Sequence, residues 1–295
     1  MTWVLLSLLG AFGQAFGWAL KKRTLDGRGI NNLLGVVSYA VAGFLFFLLW
    51  GIPNDFVFPE IGGRFIEASL AVILLNVLAL WAAYKAVDKT ALSKLMPFMA
   101  LTSLTMVPIE YVLRGVLPSL VQMVGMGIVI AGAVLFSAKE RPDKTALRSA
   151  GYFGITLLCY SITSPYMSVM IDEAGSGLFS GAVAHFGISI GFLCILLSSA
   201  KIEFRSAVTL RNSGVWKKVL IYMIASGAVV ALLENGPINL ALEQANASEV
   251  FALKRTMPFF SLILGMYMFG EKVTVRHWVG TALLVLGSML VVLFK

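Results

Sequence analysis

Of 295 residues, 59% are hydrophobic and 13% charged, and 23 basic against 15 acidic side chains leave a net charge of +8. A soluble domain of this size cannot bury that much apolar surface, so the composition excludes a water-soluble enzyme or nucleic-acid-binding domain and points to a chain embedded in lipid. About 20 apolar residues cross a bilayer, so about ten spans with short loops use up the whole chain.

The first predicted span is 3–20. Basic residues follow it rather than precede it and no A-x-A site closes it, unlike a cleavable signal peptide. Further spans are predicted at 31–50, 66–86, 91–113, 120–138, 149–170, 178–200, 219–242, 250–269 and 278–294. Trp3, Trp18, Trp50, Trp216 and Trp278 fall near span ends, where an amphipathic ring prefers the headgroup layer. Gly13-x-x-x-Gly17 and Gly187-x-x-x-Gly191 are small-residue spacings that let helices approach closely. Cys159 and Cys194 lie in apolar runs without a CxxC or a nearby His, and read as packing residues with no disulfide or metal implied.

Charge placement sets the orientation. The connections after spans 1, 3, 5, 7 and 9 hold 17 of the 23 basic residues, from Lys21, Lys22 and Arg23 to Lys272 and Arg276. The opposite face holds Arg64, Arg114 and Lys295. The positive-inside rule places the first set in the cytoplasm and both termini outside it, as in a multi-pass protein of the inner cell membrane.

Five spans per half is an odd number, so homologous halves must sit in opposite orientations. The sequence carries such a repeat. The run from Ala91 to Phe98, with Met96-Pro97-Phe98, matches the run from Ala252 to Phe259, with Met257-Pro258-Phe259. In the same register Ala86 matches Ala247, Asp88 matches Glu249 and Glu110 matches Glu271. The expected fold is therefore an all-α integral membrane bundle of ten transmembrane helices in two inverted five-helix repeats. Residues 1–140 form the first repeat, 141–148 a cytoplasmic linker and 149–295 the second. That is the architecture of a secondary transporter whose halves rock around a midplane site.

Residues 251–290 carry Met257-Pro258-Phe259-Phe260, then Gly270-Glu271-Lys272-Val273, then a helix from Trp278 to Gly287. This resembles the drug/metabolite transporter superfamily, in its EamA-like branch of ten-span transporters. The resemblance implies transport of small metabolites through a central cavity lined by spans 1–4 and 6–9, with spans 5 and 10 peripheral.

An ionisable group inside a span costs several kcal/mol unless paired or hydrated, so each is a functional candidate. Lys94 and Arg255 occupy matched repeat positions, three residues before a proline, and Lys254 lies about 100° around the same helix. Basic groups meeting in low dielectric repel unless an anion binds between them. The Lys254-Arg255 pair, with a lysine on span 4, is similar to the phosphate-binding set of plastid phosphate translocators, though there the span-4 lysine sits four residues before its proline. The implied substrate is an organic or phosphorylated anion. Two placements stay open for each basic group: into the cavity, or snorkelling to the surface.

Glu234-Asn235-Gly236-Pro237 falls near the middle of span 8, where Pro removes a backbone donor and Gly loosens the helix. Glu234 can bind a proton for coupling, neutralise Lys254 or Arg255, or form a structural ion pair. His185 suits a proton relay by its titration range or a packing role. Gln14, Asn76, Tyr39, Tyr160 and Ser164 are substrate contacts or interhelical hydrogen bonds. Pro165 marks a second possible kink. Glu110 and Glu271 read as helix-end or gating groups. No HExxH, GxSxG or phosphate-cradling loop is present, and His185 and His277 are far apart, so neither an enzyme, a metal site nor a cofactor is expected. The expected partners are a small-molecule substrate, the lipid bilayer, and a proton or counter-substrate, in a monomer or homodimer without nucleic acid. Two rival readings remain: an amino-acid or metabolite exporter, and a non-transporting membrane subunit.

Overall fold

The computed structural model describes residues 2–102, 119–137, 144–198, 200–212, 214–245 and 247–293. Every regular element among them is helical. In hydrocarbon each backbone N–H and C=O must be bonded within the protein, and a helix does this within one segment. The first elements are α1 (Thr2–Leu25), α2 (Asn31–Gly51), α3 (Gly63–Val87) and the short α4 (Leu92–Leu95), which tightens into a 3₁₀ segment, Met96–Leu101. Next come α5 (Leu120–Ser137), α6 (Lys144–Ala174), α7 (Gly177–Ser198) and α8 (Ala200–Asn212). Then α9 (Trp216–Val229) passes through a π-turn, Val230–Glu234, into α10 (Asn235–Leu242). The chain closes with α11 (Ala247–Lys254), α12 (Met257–Phe269) and α13 (Val275–Leu293).

Among the described residues, six helices are long and apolar enough to cross a membrane: α1, α2 with its 3₁₀ extension, α3, α6, α7 and the α9–α10 unit. Four shorter apolar helices lie at 92–101, 120–135, 257–269 and 275–291. Two expectations are corrected. Helix α1 continues past position 20 to Leu25, which takes Lys21 out of the loop and into the helix. Pro165 lies inside α6, which is one helix from Lys144 to Ala174. The predicted loop after span 7 contains α8. Glu110 and Arg114 lie outside the described residues.

Packing pairs α2 with α7, α3 with α6, α5 with α13, and α1 with α9, the π-turn and α10. Hydroxyls and amides also join helices across the bundle. Ser38 and Ser226 hydroxyls meet at 2.6 Å, Thr156 Oγ1 donates to Ala79 O at 3.0 Å, and Gln122 Nε2 donates to Val291 O at 3.1 Å.

The two small-residue spacings lie at close helix contacts. A Cβ on Gly187 would lie 2.2 Å from Ile73, and one on Gly191 2.5 Å from Val77. On α1, a Cβ on Gly13 would lie 2.0 Å from the Leu233 carbonyl oxygen, and one on Gly17 3.3 Å from Glu234 Oε2. Pro237 explains the first contact. Its missing N–H leaves the Leu233 carbonyl without an i+4 donor, and the bare backbone of Gly13 covers that oxygen through a Cα–H···O approach.

Helix α8 is held by one acid. Glu203 is buried, and its carboxylate accepts the N–H groups of Asn32 (3.2 Å) and Leu33 (3.1 Å), capping α2 from another helix. Burial pushes the Glu203 carboxyl above its ordinary value, against the pull of those two N–H donors.

Gly13→Ala is expected to lower the melting temperature of the detergent-purified protein by overpacking worth about 1–3 kcal/mol. Gly127→Ala, where a Cβ meets nothing within 4 Å, is expected to leave it unchanged or raised. Glu203→Ala should cost about 1 kcal/mol through the lost cap. Because the folded state holds the Glu203 proton more tightly than the unfolded chain, this group favours folding at acid pH and loses that contribution as pH rises. The wild-type melting temperature should therefore gain on that of Glu203→Gln as pH falls from neutral toward 4.5.

Candidate functional site

Three prolines break helices in the middle of the bundle. Pro97 opens the 3₁₀ segment after α4, Pro258 opens α12 after a turn at Arg255–Thr256, and Pro237 follows the π-turn. Each withdraws one backbone donor. At the third break the Asn235 N–H reaches back five residues to Val230 O, the signature of a π-turn. Broken segments turn polar side chains and backbone into the interior instead of toward lipid.

Around these breaks lies a cavity of about 130 Å³. Its charged lining is Glu234, Lys254 and Arg255, and no other Asp, Glu, Lys or Arg lines it among the described residues. Gln14, Asn76, Tyr160 and Asn235 line it too, as do Tyr39, Ser164 and His185. Thus α1, α2, α3, the 3₁₀ segment, α6, α7, the π-turn, α11 and α12 all contribute. Asn239, Met99 and Phe251, not singled out in the sequence, complete the wall.

Lys94 is the exception. Its side chain is exposed and lies outside the cavity lining. It occupies the first turn of α4, where Leu92, Ser93, Leu95 and Met96 point inward and turn it away. Its repeat counterpart Arg255 lies at the break itself and faces the cavity, so matched positions do not give matched side-chain placement here.

His185 is fixed on both nitrogens. Nδ1 lies 2.6 Å from Gly181 O, an obligate acceptor, so Nδ1 carries the proton. Nε2 lies 3.1 Å from Asn235 Nδ2 and accepts from it. The ring is therefore neutral, and it packs between Tyr39 and Phe46 at centroid distances of 5.6 and 4.8 Å. Asn76 Nδ2 is spent on Val72 O at 2.8 Å, leaving its carbonyl oxygen for the cavity.

Glu234 is buried, and its Oε2 has no hydrogen-bond partner among the described residues. It interacts electrostatically with Lys254 across the cavity and with Lys21. Lys21, expected in a cytoplasmic loop, is 1% exposed. Its ammonium lies over the rings of Trp18 (4.8 Å) and Tyr39 (5.5 Å). A helix end placed five residues too early hid this residue in the sequence. Its signal was the absence of any turn residue between Leu20 and Asp26.

Toward the ends of α1 and α3, Trp18, Leu25, Tyr84, Val87 and Leu92 are all buried in one apolar cluster. Glu271 latches this end. Its two oxygens accept the Leu92 and Ser93 N–H groups at 2.8 Å each, capping α4, and Lys22 Nζ stands 3.6 Å from Oε1. Arg23 donates to Met268 O at 3.0 Å. Three elements, α1, α4 and α12, are thereby joined. A hollow lined by Lys22, Arg23, Arg28, Lys218, Asp26 and Asp88 opens on the same face.

Residues 149–293 match the family model described as the EamA-like transporter family. These residues belong to the EamA-like transporter family. The family is part of the drug/metabolite transporter superfamily, and the chain is an integral multi-pass membrane protein. No curated protein matches the chain. Among solved structures, a crystal structure of another protein superposes with a TM-score of 0.57 at 12% identity, covering 98% of this chain and 96% of that one. At that identity the likeness is one of fold alone.

Removing the EamA-domain latch by Glu271→Ala should cost about 1–3 kcal/mol, since two N–H groups lose a charged acceptor. In a background lacking Cys159 and Cys194, it should also speed maleimide labelling of a cysteine placed at Leu25, which is 0% exposed in the latched structure. Unchanged labelling would show that Glu271 does not hold this face closed.

Proposed function

We propose that the protein is a secondary transporter that carries a small organic or phosphorylated anion across the inner membrane by alternating access around this cavity. The carrying observation is the charge of the lining among the described residues: two cations, Lys254 and Arg255, against one carboxylate, Glu234. In low dielectric an excess cation has to be matched by the ligand. Arg255 offers a planar fork suited to phosphate or carboxylate, and Lys254 a point charge beside it.

Several features support an inverted five-plus-five arrangement of ten spans, with 1–140 and 149–295 as the halves. Under an exchange of halves the α2–α7 and α5–α13 pairs map onto themselves, and α3–α6 maps onto the pairing of α9–α10 with α1. Both Met-Pro-Phe copies open a new helical segment. The latched face bears the excess of Lys and Arg, which favours placing it in the cytoplasm and both termini outside. Of the two coupling candidates, Glu234 is preferred, because both His185 nitrogens are already engaged and Glu234 Oε2 is not. A second reading, an exporter of amino acids, is favoured by Glu234 and Tyr160 in one cavity, which could hold an ammonium group while Arg255 holds the carboxylate.

A thermal-stability screen of the purified protein with phosphate esters, carboxylates, amino acids, amines and neutral sugars tests both. Ligands that bind the folded state raise its melting temperature with concentration. Anions are expected to do so in wild type and to lose the effect in Lys254→Gln/Arg255→Gln. Shifts by amines or zwitterions that survive in that variant would sink the anion reading.

A further inference from the structure

Resting on the anion reading above, we infer that the site is built for a dianion, and that the second charge comes from Lys21, which does not touch the cavity. Among the described residues the lining by itself carries one net positive charge, from Lys254 and Arg255 against Glu234. That alone matches a monoanion. Tyr39 joins Lys21 to the wall: it lines the cavity, and the Lys21 ammonium lies over its ring at 5.5 Å. The Trp18 ring at 4.8 Å and the Glu234 carboxylate complete its surroundings. Two aromatic faces and the charge of Glu234 offset part of the cost of burying the ammonium.

The charge of Lys21 reaches the cavity. It acts electrostatically on Glu234, on Lys254 and on His185, all three of which line it. His185 itself adds none, since its two nitrogens are held in the neutral form by Gly181 O and Asn235. Among the described residues, three cations then stand against one carboxylate at this site. The occupant that restores neutrality carries two negative charges, as a phosphate monoester or a dicarboxylate does. The two sources share that charge and differ in shape.

The division of labour follows from position. Lys254 and Arg255 touch the ligand. Lys21 is a positioning group that acts through Glu234: it compensates that carboxylate from behind, so that the whole charge of Lys254 and Arg255 faces the ligand. With Lys21 removed, Glu234 cancels one of the two.

Matched probes test this at about pH 8, where a phosphate monoester is doubly charged. Phenyl phosphate is compared with its methyl ester, methyl phenyl phosphate, and succinate with succinamate, by concentration-dependent thermal shift of the full-length purified protein. Wild type is expected to bind each dianion at least about tenfold more tightly than its monoanionic partner, as one uncompensated charge in low dielectric demands. Lys21→Gln should cut that ratio to within about threefold, Glu234→Gln should keep or raise it, and the double variant, which again has two net positive charges, should restore it. The double variant carries the test if Lys21→Gln alone does not purify, because it leaves no uncompensated carboxylate. A purely structural Lys21 would weaken both probes of a pair equally, with no restoration. Equal binding of monoanions and dianions in wild type, or a ratio indifferent to Lys21, overturns the inference while leaving the anion reading intact. No response to any anion overturns the anion reading itself.

Discussion

A proline inside a membrane helix leaves a carbonyl without its donor, and in lipid that carbonyl must be answered from within the protein. At Pro237 the answer has two parts. The helix widens into a π-turn over Val230–Glu234, and the orphaned Leu233 carbonyl is covered by Gly13 of α1. Only glycine lets the two backbones come that close. The same contact brings Gly17 against the Glu234 carboxylate and sets Lys21 one turn further along. One missing N–H therefore positions both the helix pair and the charges that make the site.

The other two breaks work alike. Pro97 and Pro258 each withdraw a donor and restart the chain as a new helical segment. The two loops of helix that they interrupt face one another through α4, the 3₁₀ segment and α12. Polar and charged side chains cluster where the backbone is least regular, because hydration and internal hydrogen bonds are needed there in any case.

Charge is distributed on two levels. Inside, Lys254, Arg255 and Lys21 gather about Glu234. At the basic face, acids serve the backbone instead: Glu271, from the connection after α12, caps α4, and Glu203, from α8, caps α2. Interhelix caps join elements that sequence separates by more than 150 residues, and they are labile compared with apolar packing. A face that closes through such groups can open without unpacking the core.

The sequence by itself determined that the chain lives in lipid, where most helices run, that Pro237 interrupts a span near its middle, and that Lys254, Arg255 and Glu234 are the charged groups within spans to be accounted for. Those properties are local: they depend on apolar length, on a missing N–H, and on the cost of an isolated charge in hydrocarbon. Tertiary structure decided the rest. Lys94 and Arg255 share a repeat position, yet only Arg255 faces the cavity, because helix rotation about the break is set by packing partners. Lys21 sits in a run of basic residues that reads as loop, and its burial depends on Trp18, Tyr39 and Glu234, contributed by three helices. His185 has the composition of a proton carrier, and its neutrality follows from Gly181 O and Asn235. Spacing along the chain carries no record of which distant groups meet, and it is those meetings that fix the charge of the site.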